Sequence, residues 1–266
     1  MLGWICDAHH VSSLKLETRL LLVAIGLASI HGGTLLVLYL AVEPYLRPYF
    51  GQRMISFRQL LAGQFRAPLV GRDILIGGVV AVCLSLLSRL QVLAPTWLGS
   101  APPEPLGIRE TFLTHPWFWV FAWLGRAIPN AFIVLVFVFV LLLILRKNWL
   151  VAGVYLLITV AASPAVFAGC YVAASFNLIW QATLLFALFR FGLLALAAAY
   201  YFEHLLDLAP ITTDFSAWYA GNSLVAVLIF VCLTVCGFVI YQWSPSRRTT
   251  STPTKEQQAG TSGISV

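Results

Sequence analysis

Charged and imidazole side chains inside apolar runs are where chemistry is sought first in this sequence, because each must be paired, solvated or used. Three stand out. His31 lies within the run 20–42, Arg89 near the end of the run 74–94, and Arg190 in the middle of the run 178–202. They are the candidate intramembrane polar sites. A charge at mid-membrane costs at least about 2.5–3.5 kcal/mol on insertion scales, so Arg190 is the sharpest of the three. Beside a carboxylate these groups would read as a proton or ion path, but no carboxylate falls inside an apolar run. A structural role is therefore expected for each. His31 reads as a neutral, hydrogen-bonded ring, and Arg89 reaches out to headgroups. Arg190 is expected to face the bundle interior, donating to the Val160 carbonyl freed by Pro164 and to the hydroxyls of Thr159 and Ser163.

Other chemistry finds less support. His9-His10 is half a metal site with no third ligand near it. His31, His115 and His204 lie on different segments, and neither HExxH nor GxSxG occurs. The five cysteines, Cys6, Cys83, Cys170, Cys232 and Cys236, form no CxxC and read as small apolar side chains. Trp117, Trp119 and Trp123 cluster beside an apolar run, as an interfacial aromatic belt does. A stacking site for a carbohydrate is the weaker reading. No catalytic residue, metal ligand or cofactor is assigned.

The elements that must position these residues are membrane helices. Of 266 residues, 60% are hydrophobic and 10% charged, against about 25% charged in soluble domains. A mean hydropathy of +0.89 agrees. The expected fold is all-α: a polytopic transmembrane bundle of about six spans with interfacial helices. The spans fall near 20–42, 74–94, 128–145, 149–172, 178–202 and 217–241. Residues 1–19 form an extracytoplasmic segment whose opening reads as the last turn of a helix begun upstream. Residues 20–243 form the membrane domain, and the polar tail 244–266 is expected to be disordered. Glu43-Pro44 should stop the first helix. Ala28/Gly32 and Ser29/Gly33 in it invite close approach of another helix. Pro164 should kink the fourth span.

The loop 43–73 fixes the orientation. It carries Arg47, Arg53, Arg58, Arg66 and Arg72 against Glu43 and Asp73. Such density between two apolar runs marks the cytoplasmic side, which leaves both termini outside. Within the loop, Met54, Phe57, Leu61 and Phe65 recur at helical spacing over 54–70, so an interfacial helix is expected. Its arginines are candidate contacts to lipid phosphates. The formal net charge of +6 thus serves topology and membrane lipids, and nucleic acid is not an expected partner.

The stretches LYLAVEPYLRPYF and ISFRQLLAGQFRAPLVGRDILIG, with GWICDAHHV before them and DFSAWYAGNSL after, carry a resemblance. They are similar to the membrane-spanning C-terminal region of a group of bacterial serine/threonine protein kinases frequent in acidobacteria. The resemblance covers residues 3 to about 240. It implies a multi-pass protein of the bacterial inner (cytoplasmic) membrane, with a kinase domain or a second copy as partner. The kinase domain itself is missing from this chain. Gly71-Arg72-Asp73 is not a catalytic HRD loop, and Asp214-Phe215-Ser216 abuts a membrane helix and is not DFG. The expectation is a non-catalytic sensor or anchor module. The alternative is a small transporter or channel built on His31, Arg89 and Arg190, and an intramembrane enzyme ranks third.

Overall fold

The structure, a computed structural model, describes residues 14–50, 54–97, 116–167, 170–209, 216 and 220–242. The histidine pair His9-His10, the segment before residue 14, Arg53, Asp214 and the tail 244–266 lie outside the described residues. So do the side chains of His31, Glu43, Arg47, Trp117 and Trp119. Every regular element among the described residues is a helix: α1 (Leu14–Phe50), α2 (Ile55–Leu61), α3 (Pro68–Trp97), α4 (Pro116–Leu145), α5 (Asn148–Ala161), α6 (Pro164–Phe167), α7 (Tyr171–Arg190), α8 (Leu193–Leu208) and α9 (Ala220–Gln242).

The chain is a helical membrane protein. Helix α3 and the segments Val120–Leu145, Tyr171–Arg190 and Ser223–Gln242 are each long and apolar enough to cross a membrane, and α5 is a shorter apolar helix. Large apolar side chains cover the outside of the bundle: Val79, Ile144 and Leu157 are each about two-thirds exposed or more. In water such a surface would aggregate, whereas in lipid it is solvated.

Helix α3 is the centre of the packing and touches α2, α7, α8 and α9. Pro68 opens it at the first helical position, where no ladder hydrogen bond is lost. Small residues let its neighbours come close. Gly71 meets the Gly237 carbonyl of α9 at a distance where a side chain has no room. Helix α8 lies against α3 and is the most deeply buried element: Leu193, Ala195, Leu196, Ala199 and Phe202 are all 2% exposed or less. At 1.5 Å per residue its 16 residues reach only about 24 Å, less than a hydrocarbon core.

Several boundaries differ from the sequence expectation. Helix α1 runs through Glu43-Pro44 to Phe50. Proline removes one ladder donor, and a membrane helix tolerates that. Among the described residues Gly32 and Gly33 have no atom within 4 Å of where a Cβ would stand, whereas α3 makes close approaches at Gly71 and Gly77. The fourth apolar run is broken, not kinked. Helix α5 ends at Ala161, and Pro164 starts the short α6. The fifth run 178–202 is two helices, α7 and α8, separated at Gly192. Its φ of 109° lies in a region that a side chain disfavours.

The interfacial helix is shorter than 54–70. Helix α2 ends at Leu61, and Gly63, at φ 76°, reverses the chain with its N–H on the Leu60 carbonyl at 3.0 Å. Met54 and Phe57 turn inward and are buried, while Leu61 and Phe65 are each 60% exposed. The apolar stripe is thus shared between the bundle and the outside. Phe57 packs its ring on Tyr39 of α1, 6.1 Å between centroids, and Tyr39 reaches Phe132 of α4 at 6.2 Å.

Candidate functional site

The strongest polar constellation is on α8. Its sequence places Tyr200, Glu203, His204 and Asp207 at i, i+3, i+4 and i+7, a spacing that puts all four on one helix face. Gly192 starts that helix at the angle that presses this face against α3 and α4, both of which α8 contacts.

Glu203 is 5% exposed, and its carboxylate contacts Nδ1 of His204. The His204 ring stands edge-on to Trp123 of α4, with centroids 4.1 Å apart at 72°. The Arg126 guanidinium covers the same indole at 5.3 Å. One turn back on α8, the Tyr200 ring lies 6.3 Å from His204 and 6.0 Å from Trp180 of α7. On the neighbouring helices the Tyr155 hydroxyl donates to Oε1 of Gln181 at 3.1 Å. Polar groups from α5, α7 and α8 therefore meet among aromatic rings, with exposed Arg126 of α4 at the edge. A carboxylate and an imidazole in contact can share and pass one proton, which is the chemistry this cluster offers. Among the described residues no three His, Cys, Asp or Glu side chains are placed to hold a metal ion.

Arg89 closes the far end of this face. Its Nη2 donates to the carbonyls of Leu206 and Asp207, each at 3.2 Å, and lies 3.8 Å from Oδ1 of Asp207. The last carbonyls of a helix have no partner within it and carry the negative end of its dipole. Arg89 thus caps α8 from α3. The sequence expectation of an arginine reaching out to headgroups is corrected: although the side chain is 37% exposed, its donors are engaged by α8.

Arg190 is not at the centre of a span. It ends α7, is exposed, and holds its guanidinium over the Phe191 ring at 5.6 Å. The acceptors proposed for it are used or hidden elsewhere. The Val160 carbonyl accepts from the Ser163 N–H at 3.0 Å, the Thr159 hydroxyl turns back to the Tyr155 carbonyl of its own helix at 2.9 Å, and Ser163 is buried, its Oγ without a hydrogen-bond partner among the described residues. Arg89 and Arg190 sit at opposite ends of α8, so the structure does not gather them into one path. The side chain of the third candidate, His31, lies outside the described residues.

A second buried acid lies at the other end of α3. Asp73 is fully buried; its Oδ1 accepts from Nε and Nη2 of Arg72 at 3.0 and 2.9 Å, its Oδ2 has no hydrogen-bond partner among the described residues, and buried Ser56 lies beside it. Of the candidate lipid contacts, Arg72 is thus committed to Asp73 through a side chain that remains 44% exposed, while Arg58 and Arg66 are exposed. The side chain of Arg47, and Arg53 altogether, are outside the described residues.

The expectation that no carboxylate enters the bundle is corrected by Glu203 and Asp73. Both stand one residue beyond an apolar run, which is why hydropathy places them outside. The signal that finds Glu203 is the helical spacing from Tyr200 to Asp207. For Asp73 no comparable signal exists. Comparison with known proteins returns no match from any family model, any curated protein or any solved structure.

Proposed function

We propose that this chain is a non-catalytic membrane module of the bacterial inner membrane. It would act as the sensor and anchor region of a receptor-like serine/threonine kinase, with a kinase domain or a second copy of the chain as its partner. The supporting observation is the way the segment ISFRQLLAGQFRAPLVGRDILIG is built. Instead of a loose tether, it docks on the bundle through Phe57 and the Ser56–Asp73–Arg72 cluster, with buried Met54 just before it. A docked element joined to α3, which in turn contacts α7, α8 and α9, gives a partner at that end a rigid handle on the bundle. The proposal is tested by isolating the tagged chain from its native membranes after mild crosslinking. The expected result is a co-purifying kinase polypeptide that incorporates phosphate from ATP, while the chain alone incorporates none. ATP turnover by the pure chain above a mock preparation overturns the reading.

The buried Glu203–His204 pair favours a second reading, a small proton-linked transporter, since ionisable groups inside a bundle mark ion paths. Proton or solute flux in proteoliposomes that is lost in Glu203→Gln would establish that reading in place of the first.

A further inference from the structure

Helix α7 carries a feature that neither reading uses. Phe186 is 60% exposed and stands as a ridge between two apolar grooves. The first, about 530 Å³, runs along α7 past Ala182 and Ile179 with Leu156 of α5 as its other wall. The second, about 360 Å³, lies between Phe186 and Phe191 and the Leu75, Val79 side of α3. Thr183 turns its hydroxyl back to the Ile179 carbonyl of its own helix at 2.8 Å, so the first groove asks for no polar group. Arg190 follows Phe186 by four residues and so stands one turn beyond it on the same face. Its guanidinium is steadied by the Phe191 ring. Ile179 lies eleven residues before Arg190, about 16 Å along the helix, so the first groove leads away from the charge along the outer face of the bundle. Residues 75–80 belong to the first turns of α3, at the end of the bundle where α2 docks.

We propose that this end of the bundle binds one two-chain phospholipid with an anionic headgroup. Arg190 takes the phosphate, and each groove beside Phe186 takes one acyl chain. A guanidinium matches phosphate oxygens with paired donors. A zwitterionic headgroup would bring its own ammonium next to that guanidinium, which selects for the anionic lipid. A water-soluble phosphate would engage Arg190 alone and gain nothing from either apolar groove.

The test is native mass spectrometry of the full chain in detergent, titrated with phosphatidylglycerol, phosphatidylcholine, lysophosphatidylglycerol and glycerol phosphate. Wild type is expected to prefer phosphatidylglycerol to each of the others. Arg190→Gln should weaken that binding about tenfold with an unchanged melting temperature, as loss of a charge-assisted hydrogen bond does. Ala182→Trp, which fills the first groove and keeps the charge, should weaken it as well, and Arg66→Gln should not. Should Ala182→Trp fail to fold, the lysolipid comparison on wild type carries the same question about the two grooves. The proposal is overturned if Arg190→Gln binds as wild type does, or if Arg66→Gln loses as much as Arg190→Gln. It is also overturned if the single-chain lipid or glycerol phosphate binds as tightly as phosphatidylglycerol. Disulfide-linked dimers of Phe186→Cys in native membranes would overturn it too, since a second copy of the chain would then occupy the grooves.

Discussion

A Cβ added to Gly77 would stand 2.5 Å from the Cβ of Ala198, and 2.9 Å from the carbonyl oxygen of Ala195. At this point α3 and α8 meet backbone against side chain. The contact fixes the height of α8 and, through it, the height of Glu203 and His204.

Gly77→Ala is therefore expected to force the two helices apart. Overpacking of this kind costs about 1–3 kcal/mol, read as a melting temperature in detergent lower by several degrees. Gly78 is the control. Its nearest neighbour, Cε2 of Phe230, is 3.8 Å from an added Cβ, so Gly78→Ala fits and gains helix propensity. Equal losses for the two variants would show that α3 and α8 do not cross at Gly77.

Arg89 ties the other end of the same pair. Arg89→Leu leaves the Leu206 and Asp207 carbonyls without their donor. The expected cost is about 1 kcal/mol, since interhelical hydrogen bonds in membranes are worth that order and Arg89 is partly exposed. The effect should be local: faster hydrogen exchange at the last turn of α8, with the first turn at Leu193 unchanged. Uniform loss of protection along α8 would contradict a capping role.

These two contacts show what the sequence could and could not convey. Apolar runs and spacing reveal the helix class; the run 74–94 lies within the longer α3, and the run near 217–241 overlaps α9. The run 178–202 misleads because hydropathy averages over Gly192, where a single backbone angle ends one helix and starts another. That break moves Arg190 from mid-span to a helix end. Arg89 misleads for a different reason. Its acceptors are backbone carbonyls 117 and 118 residues away, and a carbonyl leaves no trace in side-chain composition. Pro44 misleads because the rule that proline ends helices is weaker in a membrane helix.

Glu203 is a buried group that cannot tolerate a reversal of charge. Glu203→Lys would set an ammonium against the His204 ring in a place that is 5% exposed. Breaking a buried pair costs on the order of 3–5 kcal/mol, comparable to a large part of a domain's stability. The variant is expected to give no monodisperse peak on size exclusion. Glu203→Gln keeps the shape and an acceptor oxygen for the imidazole, so it should run as wild type. A well-behaved Glu203→Lys protein would mean that the side chain reaches water or headgroups.

Asp73 offers a test by non-additivity. Its carboxylate is fully buried, whereas the side chain of its partner Arg72 is 44% exposed. The pair itself is close to a surface ion pair in strength, about 1 kcal/mol or less. Removing only the arginine has a larger consequence, because the carboxylate stays buried beside the neutral Ser56 with its charge uncompensated. Arg72→Gln should therefore be clearly destabilising. Adding Asp73→Leu to it removes the buried charge as well, and exchanging buried ions for apolar groups is often near neutral. The double variant Arg72→Gln/Asp73→Leu is then expected to melt above the single Arg72→Gln variant, a coupling of the kind seen for contacting residues. Helix α2 provides a second readout. Ser56 faces a leucine in place of the carboxylate in the double variant, so amide exchange in 55–61 should quicken even as the global melt recovers. If the double variant melts below Arg72→Gln, Asp73 is stabilising in its own right and the account of an arginine-dependent buried carboxylate fails.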